Sequence, residues 1–220
     1  MHIRWRKYHT IDELNIKSFS TKPQRESFKI AIIDDETFTY EEQLRKLGFQ
    51  IDKYDDVDNL DMLSAYSVII SDIKGVGKHF DSEFEGAFIL EELKKKYPFK
   101  AFAAYTGSSY DIRINALLTG IQIIKKDSSI NLWADAIDSL INSISNPKLV
   151  WNKMRKDLLD KDVSLIELEN LEDEFVDRIL NHDGDFRDFP SKKVSKGISS
   201  EAIETITALS AGVIKLLIAK

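Results

Sequence analysis

The feature that most restricts this chain is a rhythm. Between Phe28 and Ser145, short apolar runs alternate with patterns of helical period, separated by short polar loops. FKIAII (Phe28–Ile33) and SVIIS (Ser67–Ser71) show almost no in-out alternation, as strands covered on both faces do. KAFAAYT (Lys100–Thr106) and IQIIKK (Ile121–Lys126) are read as further strands. FQIDKY (Phe49–Tyr54) is more polar and suits an edge. The helical stretches are YEEQLRKLG, stopped by Gly48, a turn near Asn59 to Ala65, GAFILEELKKKYP, SYDIRINALLTG and SSINLWADAIDSLINSIS. In the last of these, Trp133, Ile137, Leu140, Ile141 and Ile144 share one face, and Ser128 or Ser129 can cap it. Five strand-helix units with such loops imply an α/β fold, (βα)5, with a parallel sheet between helix layers.

Asn146-Pro147 marks the exit from this region. Beyond it the chain reads as helical. PKLVWNKMRKDLLDK and SLIELENLEDEFVDRIL are amphipathic, with a Ser164/Glu167 capping box and Leu168, Leu171, Phe175 and Ile179 near heptad spacing. A polar loop leads to SSEAIETITALSAGVIKLLIAK, whose apolar surface must be buried by its own chain or a partner. Residues 1–27 are polar and mildly basic around Trp5, an extension that packs on a neighbour or stays mobile. The expected division is 1–27, an α/β domain over 28–146, and a helical output or interaction region over 147–220.

A net charge of -6 argues against a general nucleic-acid binder. Without cysteine, disulfides and thiolate metal sites are excluded. MHIRWRKYHT lacks the apolar core of a signal peptide, and ALSAGVIKLLIA is short for a membrane span and interrupted by Lys215. The expectation is a cytoplasmic protein with no membrane association. His2, His9, His79 and His182 are scattered without metal-ligand spacing. Asn181, Asp183 and Asp185 alternate as in a calcium loop, but Gly184 comes too early and no glutamate closes it. DIKGVGKHF is glycine-rich without the ending of a phosphate-binding Walker loop. Trp133 reads as core; Trp5 and Trp151 read as satellite packing or interface anchors.

In an open parallel sheet, ligands bind beyond the carboxyl ends of the strands, where strand order reverses. Asp34, Asp35 and Glu36 follow the first strand, and Asp72 ends the third. Thr106 ends the fourth, and Lys125 and Lys126 end the fifth. In the order 2-1-3-4-5 the first and third strands are neighbours, which brings Asp34 or Asp35 close to Asp72. Carboxylates that close repel unless a cation intervenes, and oxygen-only ligands open to solvent suit Mg²⁺. An aspartate there can act as a nucleophile toward a phosphoryl group, with lysine and threonine bonding its oxygens.

Residues 28–145 resemble the receiver domain of two-component response regulators. The resemblance rests on IIDDE (Ile32–Glu36), VIISDI (Val68–Ile73), AAYTG (Ala103–Gly107) and IIKKDS (Ile123–Ser128). It implies a flavodoxin-like, doubly wound parallel sheet of order 2-1-3-4-5. It implies that Asp72 is the phosphoacceptor and that Asp34 and Asp35 are the acidic pair. Asp35, Asp72 and the backbone carbonyl of Lys74 would hold Mg²⁺. Thr106 would be the switch hydroxyl and Lys126, rather than Lys125, the site lysine, because Asp127-Ser128 follows it. A histidine kinase or phosphotransfer protein would be the phosphodonor, and any catalysis would be confined to the chain's own phosphorylation and dephosphorylation.

Three departures stand out. Gly75-Val76-Gly77 replaces the usual Met-Pro, Gly86 lies several residues downstream, and Ile123 occupies the site that often carries a switch aromatic. The longer loop either gates Asp72, selects a partner, or is a tolerated insertion. The helical region shows no helix-turn-helix or basic recognition helix, so protein contacts, self-association included, are the expected output rather than DNA binding. Two other readings stay open: an unphosphorylated receiver-like scaffold, and a haloacid-dehalogenase-type phosphohydrolase. The latter needs Asp-x-Asp where this chain has Asp34-Asp35-Glu36.

Overall fold

A computed structural model describes residues 8–14, 25–107, 112–181 and 185–218. The described residues fall into two compact units, 25–143, and 8–14 with 144–218.

The first unit is built on β1 (Lys29–Ile33), β2 (Gln50–Tyr54), β3 (Val68–Asp72), β4 (Ala101–Thr106) and β5 (Gln122–Lys125). All pairings are parallel, in the order β2-β1-β3-β4-β5. This is the doubly wound order shared by flavodoxin and CheY. β1, β3 and β4 lie inside the sheet, and almost every residue on them is buried. The more polar β2 takes an edge, as its composition requires.

Helices cover both faces. α2 (Glu85–Lys96) buries Ala87, Ile89, Leu90 and Leu93 with Ala31, Ile33, Ile69 and Ala104 of the sheet. Ile114 and Leu118 join the same core from α3 (Ile114–Leu117) and its end. Those sheet residues alternate with Ile30, Ile32, Ile70 and Ala103, which are buried too and point the other way. α1 (Glu41–Lys46) packs beside β2, and α4 (Ile130–Ser145) carries the buried Trp133, Ile137, Leu140 and Ile141. Ser129 caps α4, accepting the N–H of Leu132 at 3.5 Å. Arg25 clamps α4 from the domain's first residues, with bonds of 2.9 and 2.7 Å to Asp138.

α3 differs from the sequence reading, which runs a helix over SYDIRINALLTG. Among the described residues the helix spans Ile114–Leu117, and residues 108–111 lie outside them. Arg113 precedes it, and Gly120, with φ of +72°, follows it where the chain turns into β5. Apolar spacing alone does not tell one turn of helix from three.

In the second unit, α5 (Pro147–Leu159) packs on α6 (Leu165–Asn181) and α7 (Ser200–Ile218). Asn146 caps α5 through its side-chain oxygen, 3.0 Å from the N–H of Lys148, with Pro147 at the first helical position. The Ser164/Glu167 box is closed in both directions. Leu168, Leu171, Phe175 and Ile179 are buried, and Trp151 stacks at 5.5 Å from Phe175 inside the unit rather than at its surface. Two residues of the N-terminal segment dock by their backbones: His9 N–H donates to Asp173 and Ile11 N–H to Glu172, both at 2.8 Å. The segments assigned separately from sequence, 1–27 and 147–220, thus meet through 8–14. Trp5, His2, His182, Asp183 and Gly184 lie outside the described residues. Among the described residues, no helix is long and apolar enough to cross a membrane.

Candidate functional site

The register decides where the acids fall. Ile33 pairs with Ser71, so the next residue on each strand, Asp34 and Asp72, leaves the sheet side by side. This is the β1/β3 point at which chain connections diverge to opposite faces. Asp34 and Asp72 are 2% and 5% exposed, whereas Asp35 is open to solvent. Each of the three offers a carboxylate oxygen, all within 4.8 Å of one another.

Such crowding of negative charge in a partly buried pocket demands cations. Lys126, the residue after β5, supplies one: its Nζ lies 2.5 Å from Asp72 Oδ2, 3.8 Å from Asp34 and 3.6 Å from Glu36. Burial disfavours its charge, but the hydrogen bond to Asp72 and the negative charges of Asp72, Asp34 and Glu36 outweigh that and raise its pKa. Lys125 is the last residue of β5, pairs with Thr106 in the ladder and is exposed. Thr106 ends β4, one residue beyond the partner of Asp72, and its carbonyl accepts the N–H of Lys126 at 3.0 Å. Lys74 turns its N–H toward Asp72 Oδ1 at 3.3 Å.

Hard carboxylate oxygens, one of them open to water, match the ligand preference of Mg²⁺. The donor set therefore fits such an ion, with Asp34, Asp35 and Asp72 as the residues able to hold it.

Sequence reasoning missed several contributors. Tyr105 donates its hydroxyl to Asp34 Oδ2, while Asp34 Oδ1 accepts the N–H of Glu36 at 2.9 Å. Burial, then the bond to Asp34 and the surrounding carboxylates, push the Tyr105 phenol far above its ordinary value, so it stays a donor. The signal was the one hydroxyl-bearing aromatic in AFAAYT, placed directly before the strand-end Thr106. Lys78 reaches back to Asp35 at 3.3 Å from a turn of 3-10 helix at Lys78–Phe80.

The unusual loop after Asp72 is tied down at several points. Asp56 accepts the N–H groups of Gly77 at 2.5 Å and Lys78 at 3.2 Å, and Glu85 accepts that of Gly75 at 2.6 Å. Gly75, with φ of +82°, lies so close under the Asp35 carboxylate that a Cβ would sit 2.3 Å from its oxygen. At the loop's far end, a Cβ on Gly86 would fall 1.8 Å from the Asp72 carbonyl. The longer insertion thus still returns a glycine to the phosphoacceptor candidate's backbone. Ile123, the site of the missing aromatic, faces outward on the edge strand and is 43% exposed.

His9 faces Glu13 at 3.1 Å, His79 is exposed, and Asp185 pairs with Arg187.

No family model and no curated protein matches the sequence. Solved structures do. The chemotaxis protein CheY4 of Vibrio cholerae is 14% identical, covering 51% of this chain and 98% of its own, with a TM-score of 0.43. A response regulator receiver domain protein from Clostridium thermocellum is 25% identical, covering 60% of this chain and 98% of its own, with a TM-score of 0.43. A CheY-like receiver domain protein from Methanospirillum hungatei is 18% identical, covering 51% and 91%, with a TM-score of 0.41. These neighbours are CheY-like response regulator receiver domains. They cover about half of this chain, and the rest is helical.

Proposed function

We propose that this chain is a two-component response regulator that accepts a phosphoryl group on Asp72. The reading is carried by one observation: three carboxylates at the β1/β3 edge share a pocket with a lysine whose ammonium is 2.5 Å from Asp72. The donor would be a phosphohistidine on a histidine kinase or phosphotransfer protein. A carboxylate oxygen of Asp72 attacks phosphorus, the P–N bond breaks, and histidine leaves as the electron pair returns to its ring nitrogen.

Mg²⁺, held by Asp35, Asp72 and the Lys74 carbonyl, would offset the charge of the incoming phosphoryl oxygens. Asp34, fixed at both oxygens, orients the pocket from its buried side. The ammonium of Lys126 neutralises Asp72 before transfer and is positioned to bond the phosphoryl group afterwards. Thr106 contributes a hydroxyl at the neighbouring strand end. Output would run through protein contacts of the helical region, with a partner protein or a second copy. This is a signalling role, and the only chemistry required of the chain is on its own Asp72.

The test is intact mass spectrometry after incubation with Mg²⁺ and acetyl phosphate, with a purified phosphotransfer domain as a second donor. The expected result is one labile phosphoryl adduct, lost in EDTA and in Asp72→Ala. An adduct that persists in Asp72→Ala overturns the site. No adduct from either donor leaves the protein a receiver-like scaffold.

A further inference from the structure

We propose that Tyr105 is a positioning residue that locks Asp34 and couples the occupancy of the acidic pocket to the packing of Trp133 on α4. This builds on the function proposed above, because it requires that Asp34 belong to a cation-binding pocket.

Strand pleating puts Tyr105 on this path. Ala104 joins the core beneath α2 and α3, so Tyr105, next along β4, points to the opposite face. There its ring, 1% exposed, meets Trp133 edge-on at 5.3 Å and Phe38 at 6.0 Å. Phe38 and Trp133 meet each other at 5.0 Å, which closes a triangle of rings. The hydroxyl at the tip of this buried ring donates to Asp34. A tyrosine ring is rigid between its Cβ and its hydroxyl. When a cation in the pocket shifts the Asp34 carboxylate, the hydroxyl bonded to it moves with it, the ring has to take up that movement, and a close-packed core passes it to the rings in contact.

Trp133 supplies the second half of the argument. It is 1% exposed, and its Nε1 has no hydrogen-bond partner, the sole such buried side-chain atom among the described residues. No protein hydrogen bond holds the indole in place, so a small rotation breaks none already made. The indole can therefore take a second arrangement without losing a hydrogen bond. β5 offers no ring for the task, since Ile123 points outward. Tyr105 and Trp133 together give the pocket a route to α4 through the interior of the unit.

The experiment uses the full ¹⁵N-labelled chain. Indole N–H signals of the tryptophans are followed during Mg²⁺ titration, with that of Trp133 assigned by its loss in Trp133→Phe. In the wild type, the Trp133 indole signal should shift and saturate together with the backbone amides of Asp35 and Asp72. In Tyr105→Phe, which keeps the ring, the amides should still saturate, at a several-fold higher Mg²⁺ concentration. The Trp133 shift at saturation should fall by at least half. Phe38→Leu should leave Mg²⁺ affinity within twofold and still reduce the indole response.

An indole shift equal to wild type in Tyr105→Phe overturns the coupling role. Amides that saturate in the wild type while the indole stays still overturn it as well. An unchanged Mg²⁺ affinity in Tyr105→Phe removes the positioning role. Failure of the wild-type amides to respond to Mg²⁺ at all overturns the proposed function, and this inference with it.

Discussion

Lys126 extends across the carboxyl edge of the sheet to place its ammonium 2.5 Å from Asp72 Oδ2, within 3.8 Å of Asp34 as well. The lysine is the internal counter-ion of two buried carboxylates. Lys126→Met keeps the aliphatic stem and removes the charge. It should slow phosphoryl adduct formation about a hundredfold, as loss of a preorganised charge does. In EDTA it should also lower stability by about 1–3 kcal/mol, because Asp72 loses a charged hydrogen-bond partner. Urea unfolding in EDTA and in Mg²⁺ measures this, and the deficit should shrink when Mg²⁺ is present.

Metal removal should act through the same crowding. On the proposed function, wild-type Tm should rise with Mg²⁺ by mass action, since the ion would bind a pocket that only the folded chain assembles. Asp72→Asn relieves repulsion with Asp34 and Asp35, so in EDTA its Tm should equal or exceed that of the wild type. Its gain from Mg²⁺ should be smaller. Calorimetry decides the point, and a wild-type Tm indifferent to Mg²⁺ would contradict it.

Gly86 is a contact rather than a hinge. Its missing side chain lets the start of α2 approach the Asp72 carbonyl, where a Cβ would intrude to 1.8 Å. Backbone atoms on both sides leave little room to give way. Gly86→Ala should cost about 1–3 kcal/mol, the range for overpacking, and should displace Asp72 enough to lower adduct yield. Denaturant unfolding and the mass assay read the two effects separately.

Alkaline pH should loosen the β2 edge. Tyr66 donates to Asp52 at 2.9 Å and bonds the hydroxyl of Tyr54 at 2.6 Å. Burial first, then these bonds, raise its pKa above the ordinary tyrosine value. The fold therefore favours the protonated phenol. Its contribution is complete below the unfolded pKa of about 10 and is lost as pH rises through the higher folded value. Stability should fall above pH of about 10, and Tyr66→Phe should flatten that slope. Urea unfolding between neutral and strongly alkaline pH provides the measurement.

Much of the sheet was legible because a strand covered on both faces has little alternative composition. FKIAII and SVIIS read as interior strands, and FQIDKY as an edge, from polarity alone. The acids at Asp34, Asp35 and Asp72 were legible for the same reason, as abrupt polar stops to apolar runs. Tyr105 was not. In a strand buried on both sides, alternation carries no information on which face a residue takes, so its bond to Asp34 had no pattern to announce it. The ties from Asp56 and Glu85 to the loop were equally hidden, because each accepts backbone N–H groups that every residue type offers. α3 was overdrawn, since apolar spacing records which residues face a core and not how many turns are helical.

The sequence by itself determined the alternation of strands and helices, the chain positions at which carboxylates, hydroxyl and amines leave the sheet, and the caps that begin α4 and α6. These follow from local preference and from burial, which act along the chain. Only the tertiary structure decided how those groups meet. The Ile33–Ser71 register sets Asp34 beside Asp72, and the reach of Lys126 places its charge between them. The pleat of β4 turns Tyr105 toward Asp34 and Trp133. Register, reach and pleat join residues far apart in the chain, and their energies exist only once the sheet has closed.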